Sequence, residues 1–190
     1  MKGSKGEAAK ERLIEVASKL FLERGYSNTG INDVLAEAEM SKGSFYFHFS
    51  SKKELALEVA KYHGKNILEN WLTPISNNTW EVFINQMVND IIASAKEGNY
   101  YGCPIAVLGL EIAFIEDELS NAYTLGMNKL ISIFSNSLQH SGLPKDKADK
   151  GGRRAFAVFE GHILYYRISK ELEAFDYLRE DLLAVKNRAQ

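Results

Sequence analysis

The chain is poor in cysteine and proline and has no long apolar run. A single cysteine in 190 residues, Cys103, excludes an internal disulfide framework and fits a reducing compartment. No stretch approaches the ~18 apolar residues of a membrane helix. The polar start Met1-Lys2-Gly3-Ser4-Lys5-Gly6-Glu7 lacks the apolar core of a secretory signal. These absences lead us to expect a cytoplasmic protein with no membrane partner. Strand-like alternation is missing, so the fold class is all-α. The four histidines (His48, His63, His140, His162) are scattered, with no His-x3-His or Cys-x2-Cys spacing, and no metal site is expected. Neither a Gly-x-Ser-x-Gly elbow, a phosphate-binding loop nor a dinucleotide fingerprint occurs. Glu111, Glu116, Asp117 and Glu118 fall at a helix end and the next helix start, where the helix dipole favours acids. No catalytic residue, no cofactor and no enzymatic activity are therefore expected. The net charge of −2 argues against indiscriminate polyanion binding, but its distribution is uneven. Residues 1–66 hold 11 Lys and Arg against 9 Asp and Glu; residues 67–190 hold 12 against 16. Only the N-terminal part has the sign expected of a nucleic-acid contact.

The most informative stretch runs from Thr29 to Phe49. Ile31, Val34, Leu35 and Ala38 follow the i, i+3, i+4, i+7 rule and predict a short helix with one buried stripe. Ser41 suits the N-cap of a second helix, which buries Phe45 and Phe49 on one face. The other faces of that helix carry Lys42, Ser44, Tyr46 and His48. A cation, hydroxyls and a ring together suit phosphate and base edges in a major groove. This is a helix-turn-helix, with the second helix as reader. Gly43 either lets that backbone approach DNA or packs on the preceding helix. Ahead of it, a helix of about Glu7–Arg24 buries Leu13, Val16, Ala17, Leu20 and Phe21, and Gly25 ends it in the left-handed conformation. Ser27, Asn28 and Thr29 offer N-cap chemistry. Residues 1–7 form an arm that reads first as a solvated tail and second as one whose Lys2 and Lys5 reach DNA.

The run Ser41-Lys42-Gly43-Ser44-Phe45-Tyr46-Phe47-His48-Phe49, followed by Ser51-Lys52-Lys53-Glu54-Leu55, resembles the N-terminal domain of the TetR family of transcriptional repressors. The likeness spans about residues 8–56. It departs from the family pattern in the turn, where Glu39 and Met40 replace a glycine and an aliphatic residue. The resemblance implies DNA contacts through Thr29 (cap and phosphate), Ser41, Lys42, Gly43, Ser44, Tyr46, His48 and Lys52. It also implies a homodimer on a pseudo-palindromic double-stranded operator, released by a small-molecule effector.

Downstream, Ser51 and Glu54 form a capping box for a helix running through Leu55, Val59 and Tyr62 to about Leu72, where Pro74 ends it. Helices then follow at about Trp80–Lys96, Ile105–Phe114, Asp117–His140, Arg153–Glu171 and Phe175–Arg188. Gly151-Gly152 delays or interrupts the fourth of these. About nine helices result. Residues 1–51 form a three-helix DNA-binding domain, and residues 52–190 an antiparallel bundle for ligand binding and dimerisation, with 52–72 as connector. The segment Tyr100-Tyr101-Gly102-Cys103-Pro104-Ile105 also resembles one group of TetR-family C-terminal domains, which implies an apolar or aromatic effector. Its expected contacts are Trp71, Phe83, Met87, Ile91, Cys103, Tyr123, Met127, Phe159, His162 and Tyr166, with Phe114 nearby. Cys103 also reads as a small buried apolar residue, and His162 as a satisfied core or interface histidine. The alternative function is an adaptor of the same fold that binds DNA and a protein partner but no small ligand.

Overall fold

The computed structural model describes residues 5–189. Lys2 and the side chain of Lys5, expected in the arm, lie outside the described residues. The elements are α1 (Lys5–Arg24), α2 (Ile31–Ala38), α3 (Lys42–His48), α4 (Lys52–His63), a π-helical segment (Gly64–Leu72), α5 (Thr73–Ser76), α6 (Trp80–Lys96), α7 (Pro104–Ile112), α8 (Asp117–His140), α9 (Lys145–Ser169) and α10 (Ala174–Ala189). Among the described residues there is no strand. They form two compact units. The first takes residues up to Lys65 together with Pro104–Thr124; the second takes Asn66–Cys103 and Leu125 onward.

In the first unit α1 is the floor. Leu13, Leu20 and Phe21 from α1 meet Val34 of α2, Phe45 of α3, Phe49, and Leu55 and Val59 of α4, all almost wholly buried. Each aromatic or aliphatic side chain so buried contributes about 1.5–3 kcal/mol of transfer free energy. Helix α7 packs on α1 and α4. The caps explain the short helices. Ser41 Oγ accepts the Ser44 amide at 3.2 Å, as its position predicts. The cap of α2 differs from expectation. Gly30 is the N-cap, its amide donating to Asp33 Oδ2 at 2.6 Å. Thr29 is fully buried behind it, and its hydroxyl donates to the Gly25 carbonyl at 2.8 Å. A threonine facing the core can neither cap nor reach a phosphate, so the carboxylate three residues into the helix caps instead. The capping box at α4 is also displaced by one residue. Ser51 Oγ accepts the Glu54 amide, while Glu54 Oε2 accepts from the amide and hydroxyl of Ser50. Glu39 ends α2 at φ 58°, the left-handed region where a glycine carries no Cβ penalty.

Near the end of α4, His63 is buried, with Nε2 2.7 Å from Ser18 Oγ. Desolvation lowers its pKa from 6.5 to about 4. The folded state therefore prefers the neutral ring. The resulting stability is full above the unfolded pKa of 6.5 and is lost as pH falls towards 4. A gap of that size corresponds to about 3 kcal/mol. We expect an acid-induced loss of stability in this window that His63→Gln largely removes. Denaturant midpoints at several pH values check this, and identical pH slopes for the two proteins would exclude it.

The second unit is built round Trp80, wholly buried at the start of α6. Its Nε1 donates to the Leu182 carbonyl of α10 at 2.9 Å. Phe83 and Phe159 each meet Phe134, with centroids 6.0 and 5.9 Å apart. Arg179 of α10 grips Asn85 and Asn89 of α6, and Lys186 pairs with Glu81. Two expected helix boundaries are corrected. Pro74 does not end a helix: it sits in the first turn of α5, where its missing N–H costs nothing. Gly151 and Gly152 do not interrupt or delay α9, which begins at Lys145 and passes through both, buried, against α8. A Cβ on Gly152 would lie 2.1 Å from Ser135 Oγ. Gly152 is there for close helix approach, not for a break.

Candidate nucleic-acid interface

Helix α3 presents the side chains that its sequence predicts. Lys42 and Tyr46 are exposed, Ser44 and His48 half-buried, and Ser41 exposed at the cap. Phe47, which the outward set left out, is 80% exposed and stacks edge-on to His48 at 4.9 Å. With Tyr46, 58% exposed, it gives the helix an outward aromatic face. The signal for it was available: Phe47 is two residues from both Phe45 and Phe49 and so cannot share their buried face.

Gly30, Ile31, Asn32, Asp33, Lys42, Tyr46 and Lys52 line one open groove of about 570 Å³. The start of α2, the start of α4 and α3 thus converge, and two cations face the same space. Lys52 is held in place from below. Its Nζ lies 4.2 Å from the centroid of the Tyr26 ring, a cation–π contact, and the Tyr26 ring stands edge-on to Phe21 at 5.4 Å. Partial burial lowers the Lys52 pKa, with Glu111 and Asp33 acting in the opposite direction. Gly43 is exposed, and the nearest atom to an added Cβ is Ser41 Oγ at 3.8 Å. Packing on α2 therefore does not require glycine at this position. Lys53 is engaged elsewhere, at 3.5 Å from Glu116 and 3.0 Å from Glu118.

The residue beneath this arrangement is Glu111 of α7. Its Oε2 accepts the Tyr26 amide at 2.8 Å and its Oε1 the Ser27 amide at 2.7 Å. The carboxylate thus closes the α1–α2 turn from outside. Gly25 makes room for it: φ is 89°, and an added Cβ would lie 3.0 Å from Glu111 Oε2. The sequence reading took Glu111 as a helix-end acid. An acid inside an otherwise apolar helix was the available sign, but its partners lie 84 and 85 residues away.

The expected effector contacts are placed as follows. Phe83, Met87, Ile91, Cys103, Tyr123, Phe159 and Tyr166 are buried; Trp71 and Met127 are half-buried. Trp71 Nε1 donates to Asp90 Oδ2 at 2.8 Å. His162 Nε2 lies 2.9 Å from Asp181 Oδ2 on α10, so its ring has a surface partner. Phe114 is corrected: it lies past the end of α7 and is 99% exposed. The structure brings Cys103 onto Glu160, which the sequence reading left out. The Cys103 thiol donates to the Glu160 carboxylate, and burial raises that carboxyl to about 7. Tyr100 stands nearby, against Tyr166 at 5.8 Å and Phe175 at 5.9 Å. Glu160 was readable as an acid on the Phe156, Phe159, Ile163 stripe.

Comparison with known proteins identifies both parts of the chain. The family described as "Bacterial regulatory proteins, tetR family" matches residues 13–59. The C-terminal domain described as "Transcriptional regulator LmrA/YxaF-like" matches residues 81–181. The regulator YxaF of Bacillus subtilis is 27% identical over 88% of this chain and 89% of its own length. The repressor NemR of Escherichia coli is 25% identical over 94% and 92%. The crystal structure of E. coli NemR in its reduced form superposes with a TM-score of 0.81 over 95% of this chain and 96% of that one, at 22% identity. A TetR regulator from Legionella pneumophila superposes at 0.83 over 96% and 97%, at 19% identity. Among the described residues no helix is long and apolar enough to cross a membrane. These relatives are transcriptional regulators and not enzymes, and members of their family bind DNA operators, typically as dimers. With its helix-turn-helix at residues 13–59 and a matching C-terminal domain over residues 81–181, this chain belongs to the TetR family of transcriptional regulators.

Proposed function

We propose that the protein is a cytoplasmic repressor that binds a pseudo-palindromic operator as a homodimer and leaves it when a small, largely apolar or aromatic effector binds. Residues 1–51 read DNA; residues 52–190 bind the effector and dimerise, with 52–72 connecting the two. The observation that carries the reading is the groove where Lys42, Tyr46 and Lys52 converge beside the exposed face of α3. Two cations a helix apart suit successive phosphates, and Tyr46 suits a phosphate or base edge. The exposed Phe47 suits the C5-methyl of thymine. Thr29 supports this surface from within. Dimerisation is favoured by the exposed apolar residues Leu164, Tyr165 and Ile168 on α9, with open space above Gly161. The effector acts by its differential affinity for the DNA-bound and released states.

The test is an electrophoretic shift on the DNA upstream of the protein's own gene, with three variants. Tyr46→Phe is expected to weaken binding by about 1–3 kcal/mol without loss of fold. Lys52→Ala weakens it evenly across sequences and lowers the salt slope by about one. Gly43→Ala has room within the protein, so its cost appears only on DNA. Wild-type shifts for all three would refute the interface. Release by no compound in a broad screen, with DNA binding intact, would favour the adaptor.

A further inference from the structure

Within the second unit the polar cluster at Glu160 stands out from its surroundings. Glu160 sits on α9 near Cys103 and Tyr100, and the Tyr100 ring in turn meets the tilted pair Tyr166 and Phe175, whose centroids are 4.4 Å apart. Its carboxylate takes one donor from within the protein, the Cys103 thiol. Oε1 is buried and has no hydrogen-bond partner. The cation two turns along the same helix, Arg167, donates instead to the Tyr101 carbonyl. No cation contributes to the state of the Glu160 carboxyl, which burial dominates. The Tyr100 hydroxyl is likewise held well above its ordinary range, by burial first and then by Cys103, Glu160 and Tyr166. A buried carboxylate oxygen without a donor is costly, and a donor brought by a ligand would satisfy it. A carboxylate next to a cluster of aromatic rings suits a positively charged group, which each attracts.

We propose that Glu160 is the polar anchor of the effector site and selects a cationic nitrogen carried on an aromatic body. This rests on the effector-released reading above and names the ligand class. The nitrogen donates to Oε1 and neutralises the carboxylate, while Cys103 holds the other side of that group. Anionic aromatics are rejected because they add a like charge to a buried one.

The experiment compares three probes of one shape: 1-naphthylmethylamine, 1-naphthalenemethanol and 1-naphthoate. They are titrated calorimetrically into the full chain at mildly alkaline pH, where the carboxyl is ionised and the amine protonated. The expected result is amine binding roughly tenfold tighter than the alcohol, with the carboxylate weakest. Glu160→Gln should bring the amine down to the level of the alcohol and leave the alcohol unchanged. Should that variant not fold, Glu160→Asp withdraws the carboxylate by one methylene and should cut the amine-to-alcohol ratio about threefold. Equal binding of amine and alcohol, or a ratio unaffected by either variant, overturns the proposal while leaving an effector site standing. No binding by any probe also overturns it. Operator release is scored in a separate shift assay, so failure of the general reading is seen independently.

Discussion

Glu111→Ala is expected to cut operator affinity by roughly tenfold or more and to loosen the α1–α2 turn. The substitution removes the carboxylate that accepts the Tyr26 and Ser27 amides. A hydrogen bond to a charged group contributes about 1.5–3 kcal/mol, and water replaces the loss best at the exposed Ser27 amide. The larger effect therefore falls on Tyr26. Its ring supports Lys52 Nζ, so the disturbance reaches the groove that faces DNA. Glu111→Gln keeps one acceptor, loses the charge and should fall between. Hydrogen exchange of the two amides and operator shifts are the measurements. Exchange and affinity both at wild-type level in Glu111→Ala would sink this account.

The second large effect is expected at Gly152. A Cβ there would come within 2.9 Å of the Ile131 carbonyl oxygen and the Ser135 amide nitrogen, and closer still to Ser135 Oγ. The hydroxyl can rotate away, but backbone atoms of α8 can move only if the helices separate. Overpacking of this kind costs about 1–3 kcal/mol and sometimes more. We place Gly152→Ala at about 3 kcal/mol, a fall in Tm of roughly 10 °C for a chain of this size. Adding Ser135→Gly removes the nearest clash and should restore part of the loss but not all. A Tm within about 2 °C of wild type would mean that the helices are not this close.

These two residues also show what was legible in the sequence. The helix-turn-helix could be read because its determinants are local: a four-residue stripe, a serine cap, and a glycine at positive φ. Its outward face followed from periodicity alone, except for Phe47. Gly151-Gly152 was misread because two glycines give the same local pattern whether a helix breaks or a neighbour presses close. Only the position of Ser135 decides between them. The π-helical winding of Gly64–Leu72 leaves no mark in an apolar stripe one face wide. Thr29 was assigned a cap from its neighbours, but burial turned its hydroxyl inward. Glu111 and Glu160 were visible as acids in apolar helices. Their meaning lay in partners distant along the chain, which no window of sequence contains.

The first unit is discontinuous in sequence, since Pro104–Thr124 completes a body begun by the N-terminal 65 residues. This bears on synthesis and on modularity. A nascent chain that has released its helix-turn-helix still lacks Glu111, so the α1–α2 turn is without its carboxylate brace until some sixty further residues have followed. Domains fold as units during synthesis, and here the unit closes late. The reading head thus gains its brace only when much of the chain has been made. For the same reason, a chimaera that joins residues 1–51 to a foreign body carries the contact surface but not its brace. Grafting of operator specificity should succeed only when the donor's α7 travels with its head.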